Sequence, residues 1–280
     1  MISTGRRTWP GRGATWRTRR RSTARRRRDW LSCCGHGVSR SERPYRRRAR
    51  PPYPPPREQG TYHYEGDVSM SDFSTWTIDV FLDSLAARTP TPGGGGAAAL
   101  AGAIGCAQAR MVVAYSLGPK SEPGVRARLE AAAQELERCD RMLRSLMNED
   151  AAAYERMSAV GKAARAGRGT DAEAATEEEY RAAVATAAAV PLEMAAVAST
   201  ALTALDAVEQ DTNRRLGSDA AVSATLLHAC ARAAAYSVRV NLAPLNDEPS
   251  RGQIADTLDE ILAHCAKHAA HIESWAIQRA

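Results

Sequence analysis

From residue 77 onward apolar residues recur at helical spacing, and no stretch shows the strict alternation of a half-buried strand. Ile78, Phe81, Leu82 and Leu85 share one face of a helix predicted over 77–87. Leu100, Ile104, Ala107, Met111 and Ala114 or Tyr115 form the stripe of a second, over about 97–117. A third, over about 125–166, carries Leu129, Leu136, Met142, Leu143, Leu146, Tyr154, Met157 and Val160. A fourth, over about 172–210, contains Pro191, which lacks the N–H of a helix interior and is expected to kink or split it. The fifth covers about 218–242, with Ser218 or Asp219 as its cap. The sixth, over about 251–279, places Ile254, Leu258, Ile261, Cys265, Ile272 and Trp275 in steps of three and four, with His268 at the remaining seam position. Gly- and Pro-containing or polar breaks separate the segments, so the prediction is an all-α bundle of about six helices.

Alanine fills most interior positions of these helices. Small side chains allow close helix approach but bury little surface each, so a homodimer is expected to supply further burial.

Charge divides the chain at about residue 70. Residues 1–69 hold eighteen arginines, no lysine and five acids, a net charge of +13; since the whole chain is +6, residues 70–280 are acidic. The extension is nearly free of aliphatic residues and ends in a proline-rich run, so it is read as disordered. Exclusive use of arginine resembles a codon bias of GC-rich DNA, and Met70 stands just ahead of the first helix. The extension is therefore read as lying outside the native product. The alternative is nucleic-acid contact, with Trp9, Trp16 and Trp30 stacking among the arginines. No apolar segment follows the N-terminal arginines as in a secretory signal, and no run of uninterrupted apolar residues matches a membrane span. Cys106, Cys139, Cys230 and Cys265 are scattered singly, the usage of a reduced, cytoplasmic protein.

Pro90-Thr91-Pro92-Gly93-Gly94-Gly95-Gly96 leads directly into an alanine-rich helix. The glycines are expected to form a turn free to adopt positive φ, and the first helical turn offers unpaired N–H groups to an anion or carbonyl. Asp150, one turn before Tyr154, is an unfavourable mid-helix residue that reads either as a solvated charge or as a site acid. Asp219 reads as an N-cap, Asn241 as a C-terminal cap, and Asp247 as a turn residue. Lys120, with Arg214, Arg215 and Arg239, offers cations to an acidic ligand or to solvent. His264, Cys265, His268 and His271 occupy or flank the seam of the last helix and are assigned to packing, so no metal is expected. No nucleophile–base arrangement is legible.

Several motifs occur in order: Pro90-Thr91-Pro92-Gly93-Gly94-Gly95, Met111-Val112-Val113 with Gly118-Pro119-Lys120, Asp150 to Tyr154, Val190-Pro191-Leu192, Asn213 with Ser218-Asp219, and Asn241-Leu242 with Asp247. Together they resemble the cyclodeaminase/cyclohydrolase family of folate enzymes over essentially all of residues 70–280. The resemblance implies an all-α dimer binding folate near the subunit interface, acting on the one-carbon bridge between N5 and N10 of tetrahydrofolate. It implies Asp150 and Asp219 as catalytic residues, and Pro92, Gly93, Gly94, Gly95, Lys120, Asn213, Ser218, Asn241 and Asp247 as substrate contacts, with no cofactor beyond the folate substrate. Gly96 stands where members of that family usually carry serine. The activity implied is methenyltetrahydrofolate cyclohydrolase, with formimidoyltetrahydrofolate cyclodeaminase as the alternative. A reading from another class is a non-catalytic helical interaction protein.

Overall fold

A computed structural model describes residues 72–119, 121–243 and 248–278. The basic extension, Lys120 and Asp247 lie outside the described residues. Six α-helices follow one another: α1 (Ile78–Ala86), α2 (Gly94–Ser116), α3 (Pro123–Gly167), α4 (Glu173–Asp206), α5 (Gly217–Leu242) and α6 (Glu248–Ile277). Short 3-10 turns occur at Phe73–Thr75, Glu209–Asp211 and Arg214–Leu216, and no strand occurs among the described residues. The predicted all-α class and the six helices are as observed.

Helices α2, α3, α4 and α5 form a closed ring in which each packs against the next, and α6 lies along α4 and α5. The buried face of α2 is not the predicted stripe. Ile104 and Tyr115 are exposed, whereas Ala98, Ala99, Gly102, Gly105, Cys106, Ala109, Val112 and Val113 point inward. Close approach is the physical reason. A Cβ on Gly102 would lie 2.7 Å from Cys230 Sγ and 2.9 Å from Leu143 Cδ1, and one on Gly105 would lie 2.9 Å from Leu227 Cγ. Small residues therefore face the core and large ones are displaced outward, so dispersion attraction between the helices comes from their proximity and not from side-chain size.

A buried carboxylate ties α2 to α3. Asp140 accepts hydrogen bonds from Arg144 Nε at 2.8 Å and from Arg110 Nη1, on α2, at 3.3 Å. Helices α2 and α4 are both long and apolar enough to cross a membrane, in contrast to the sequence expectation; here half or more of each apolar window is buried inside the bundle.

Helix α4 runs unbroken through Pro191, which is buried. The expected split is absent because the neighbouring α5 compensates for the missing N–H, through a side chain that also belongs to the site.

Candidate active site

The entry to α2 is built by the loop that the two prolines set. Thr91 Oγ1 donates to Glu155 Oε1 on α3 at 3.0 Å, and the Thr91–Pro92 peptide bond is cis. Gly93 takes the N-cap position, its carbonyl accepting from Ala97 N at 3.0 Å, so Gly94, Gly95 and Gly96 already belong to the helix. The predicted positive-φ turn is not formed: among the described residues only Gly169 has positive φ.

What the run supplies instead is a missing Cβ at one position. A Cβ on Gly95 would fall on the Asp150 carboxylate. On Gly94 it would meet nothing within 4 Å, and on Gly96 it would make ordinary contacts with Pro92 Cβ, Met147 Cγ and Phe81 Cζ at 3.4 to 3.9 Å. Only Gly95 among these three is sterically required.

Asp150 reaches this point because it continues the inward face of α3, one turn beyond the buried Met147 and two beyond the buried Leu143. Nearby on α3, Asn148 holds the segment that leads into α1: Asn148 Oδ1 accepts from Phe73 N at 2.9 Å and Nδ2 donates to Asp72 Oδ1 at 2.7 Å. Asp150 itself is half-buried and has no hydrogen-bond or ion-pair partner among the described residues. Burial pushes its carboxyl above the ordinary range.

The opposite wall comes from α5. Asn241 Nδ2 donates to the carbonyl of Ala187 at 2.6 Å. That carbonyl is the one Pro191 would have satisfied through its N–H in an ordinary helix. Asn241 is thus held by the Ala187 carbonyl that Pro191 leaves free, rather than serving as a cap of its own helix, which corrects the sequence expectation. Gly93, Gly94, Gly95, Asp150 and Asn241 line a single cavity of about 370 Å³, with Tyr154 and Tyr236 among its walls. Both tyrosines are exposed. Tyr236 carries no distinguishing sequence signal; it is found only by its position five residues before Asn241.

Other predicted site residues lie elsewhere. Pro92 is buried behind the loop, not among the cavity-lining residues. Asp219 is not a cap: α5 has no side-chain cap bond, and the Asp219 carboxylate accepts from Gln108 Nε2 at 2.7 Å. Asn213 caps the 3-10 turn by accepting from Arg215 N, and its own N–H donates to Ser116 Oγ at 2.8 Å. Ser218 is exposed beside it. Gln108 is thirteen residues along α2 from Gly95, a separation of about 20 Å. Within one chain the predicted residues therefore form two groups, one at each end of α2. Arg239 is committed to Asp259 Oδ1 at 2.9 Å. The Cys139 and Cys265 thiols are pushed up to about 11 by burial, far from a reactive thiolate.

Residues 77–260 match the formiminotransferase-cyclodeaminase family. A methenyltetrahydrofolate cyclohydrolase of Methylorubrum extorquens is 35% identical over 188 residues, which is 67% of this chain and 89% of that protein. A formimidoyltransferase-cyclodeaminase of Sus scrofa is 28% identical over 198 residues, 69% of this chain but 35% of that protein. The crystal structure of a formiminotetrahydrofolate cyclodeaminase from Thermotoga maritima is similar with a TM-score of 0.65 and 25% identity, across 73% of this chain and 98% of that one. The order of the motifs, the helical fold and these likenesses agree: the chain belongs to the formiminotransferase-cyclodeaminase family.

Proposed function

We propose that this protein is a methenyltetrahydrofolate cyclohydrolase, which adds water to the one-carbon bridge between N5 and N10 and opens it. The observation that carries this reading is the unpaired carboxylate of Asp150, pressed against Gly95 in the wall of the cavity. As the water oxygen bonds to the bridge carbon, Asp150 takes one of its protons; as the bond from that carbon to N5 breaks, the hydroxyl releases its remaining proton to solvent and becomes the carbonyl of a formyl group on N10, while Asp150 returns its proton to N5. A carboxyl raised by burial is suited to both transfers near neutral pH. No redox step or Lewis acid is required by this scheme, and folate and water are the only small molecules invoked.

The remaining cavity groups fit a pterin. Asn241 has its amide N–H committed to Ala187, leaving Oδ1 as an acceptor in a defined orientation. Tyr154 and Tyr236 offer aromatic faces. The first turn of α2 adds unpaired backbone N–H groups at the glycines.

The working unit in this reading is a homodimer in the cytoplasm. Exposed apolar residues occur near both groups of site residues: Val240 at the cavity, and Ile104, Tyr115 and Val222 on the faces of α2 and α5 towards Asp219. Pairing two copies would cover this surface and allow Asn213, Ser218 and Asp219 of one chain to approach the cavity of the other.

A cyclodeaminase would use the same carboxylate to protonate the departing ammonia. The higher identity to the Methylorubrum cyclohydrolase favours water addition. The deciding experiment compares turnover of methenyl- and formimino-tetrahydrofolate by the purified full chain. Faster turnover of the formimino substrate would reverse the assignment, and none of either would refute both.

A further inference from the structure

We propose that Asp206, Glu209 and His271 form a binding site for a divalent transition-metal ion of the zinc class, at the end of the bundle away from the folate cavity. The three residues offer one ligand atom each, all within 4.8 Å of one another. His271 Nδ1 lies 2.6 Å from Asp206 Oδ1 and 3.6 Å from Glu209 Oε2.

Glu209 is the independent sign that a ligand is wanted. It is 5% exposed, and its Oε2 is buried without a hydrogen-bond partner. Its other oxygen accepts from Gln210 Nε2 at 2.7 Å, which fixes the carboxylate with Oε2 towards His271. A buried carboxylate oxygen left unsatisfied is costly, and a cation would offset that cost.

Asp206 is held in the same way. His268 Nδ1 lies 2.6 Å from Asp206 Oδ2, His268 Nε2 lies 3.0 Å from His264 Nε2, and His264 Nδ1 lies 2.8 Å from Ser199 Oγ. One set of tautomers satisfies every pair: Ser199 donates to His264, His264 to His268, and His268 to Asp206. This relay occupies Oδ2 and leaves Oδ1 for the ion, the supporting arrangement found behind metal ligands.

The distances suit a small ion. Zinc–ligand bonds of about 2.0–2.2 Å in a tetrahedron separate ligand atoms by about 3.3 Å. The 3.6 Å pair already conforms, and the 2.6 Å pair opens when an ion replaces the shared proton. One imidazole and two carboxylates select a zinc-class ion over magnesium or calcium, and the exposed side of His271 leaves a fourth position for water. The site joins the end of α4, the Glu209–Asp211 turn and α6. Asp206 is nineteen residues along α4 from Ala187, about 28 Å, so the ion lies far from the cavity of its own chain and would brace the fold there.

The test is titration of zinc chloride into chelator-treated full-length protein, read by calorimetry and by thermal melting. Wild type should bind zinc and melt at a higher temperature in its presence. His271→Ala, a change at an exposed ring, and Glu209→Gln should each bind one equivalent fewer and lose the thermal response. His268→Gln should bind about 10- to 100-fold more weakly. Cobalt(II) should give a visible spectrum without a thiolate band, separating this site from cysteine binding. Equal stoichiometry and equal thermal response in wild type and a folded His271→Ala protein would overturn the proposal, as would cobalt(II) spectra that are identical in the two proteins.

Discussion

Asn241 donates its side-chain amide to the carbonyl of Ala187, the helix carbonyl left free by Pro191. A residue of the cavity wall is thereby oriented by an irregularity in a different helix. The arrangement resolves two features that are separately awkward, a proline inside α4 and a polar side chain at the α4–α5 contact.

The link can be measured by a double-mutant cycle. Asn241→Ala should destabilise the protein by about 1–2 kcal/mol, the cost of an unsatisfied buried carbonyl. In a Pro191→Ala background the restored N–H can bond Ala187, so the same Asn241→Ala change should cost much less. Denaturant unfolding gives the four stabilities, and additivity would show that the two residues are independent.

Asp150→Asn tests the proton carrier. Turnover should fall by about 10²–10⁴ while folate affinity changes little. The same variant should gain stability at neutral pH. With its folded pKa raised by burial, the Asp150 carboxyl favours folding while protonated and loses that contribution as pH rises above its unfolded value of about 3.9. Melting temperatures of the two proteins should converge below about pH 4 and diverge, with Asn higher, towards pH 7.

Adjacent glycines should respond oppositely to alanine. Gly95→Ala forces the Asp150 carboxylate aside, and a displacement of about 1 Å is enough to lower turnover about 10²-fold. Gly96→Ala meets only ordinary contacts and removes glycine's chain entropy, so it should be neutral or stabilising by up to about 1 kcal/mol. Kinetics and melting of the pair decide it.

Mixing subunits tests whether the two groups of residues meet across a dimer. Asp150→Asn and Asp219→Asn proteins, each impaired alone, should recover about a quarter of wild-type activity when unfolded together and refolded, because half the dimers are mixed and each holds one intact site. Activity no greater than the average of the parents would mean that Asp219 acts within its own chain or not at all.

The number of helices and the position of the glycine run were legible because period and turn chemistry are local properties. The inward face of α2 was not. Periodicity weights large apolar residues such as Ile104 and Tyr115, while the spacing to α5 admits only Gly102 and Gly105. Asp219 has the sequence context of a cap, but Gln108, its actual partner, is 111 residues away. Residue type and position mark Asp150 as a candidate acid, whereas its lack of a partner and its contact with Gly95 depend on how α2 meets α3.

Because α2 both packs closely against α3 and α5 at Gly102 and Gly105 and forms a wall of the cavity, the dimensions of that cavity are inherited from the interior. A methyl group added at Gly102 or Gly105 would act as a wedge beneath that helix and tilt its glycine end relative to Asp150, reshaping the cavity without touching any residue that lines it. Core packing and cavity shape are therefore coupled: a substitution deep in the bundle is also a change in the wall that faces Asp150.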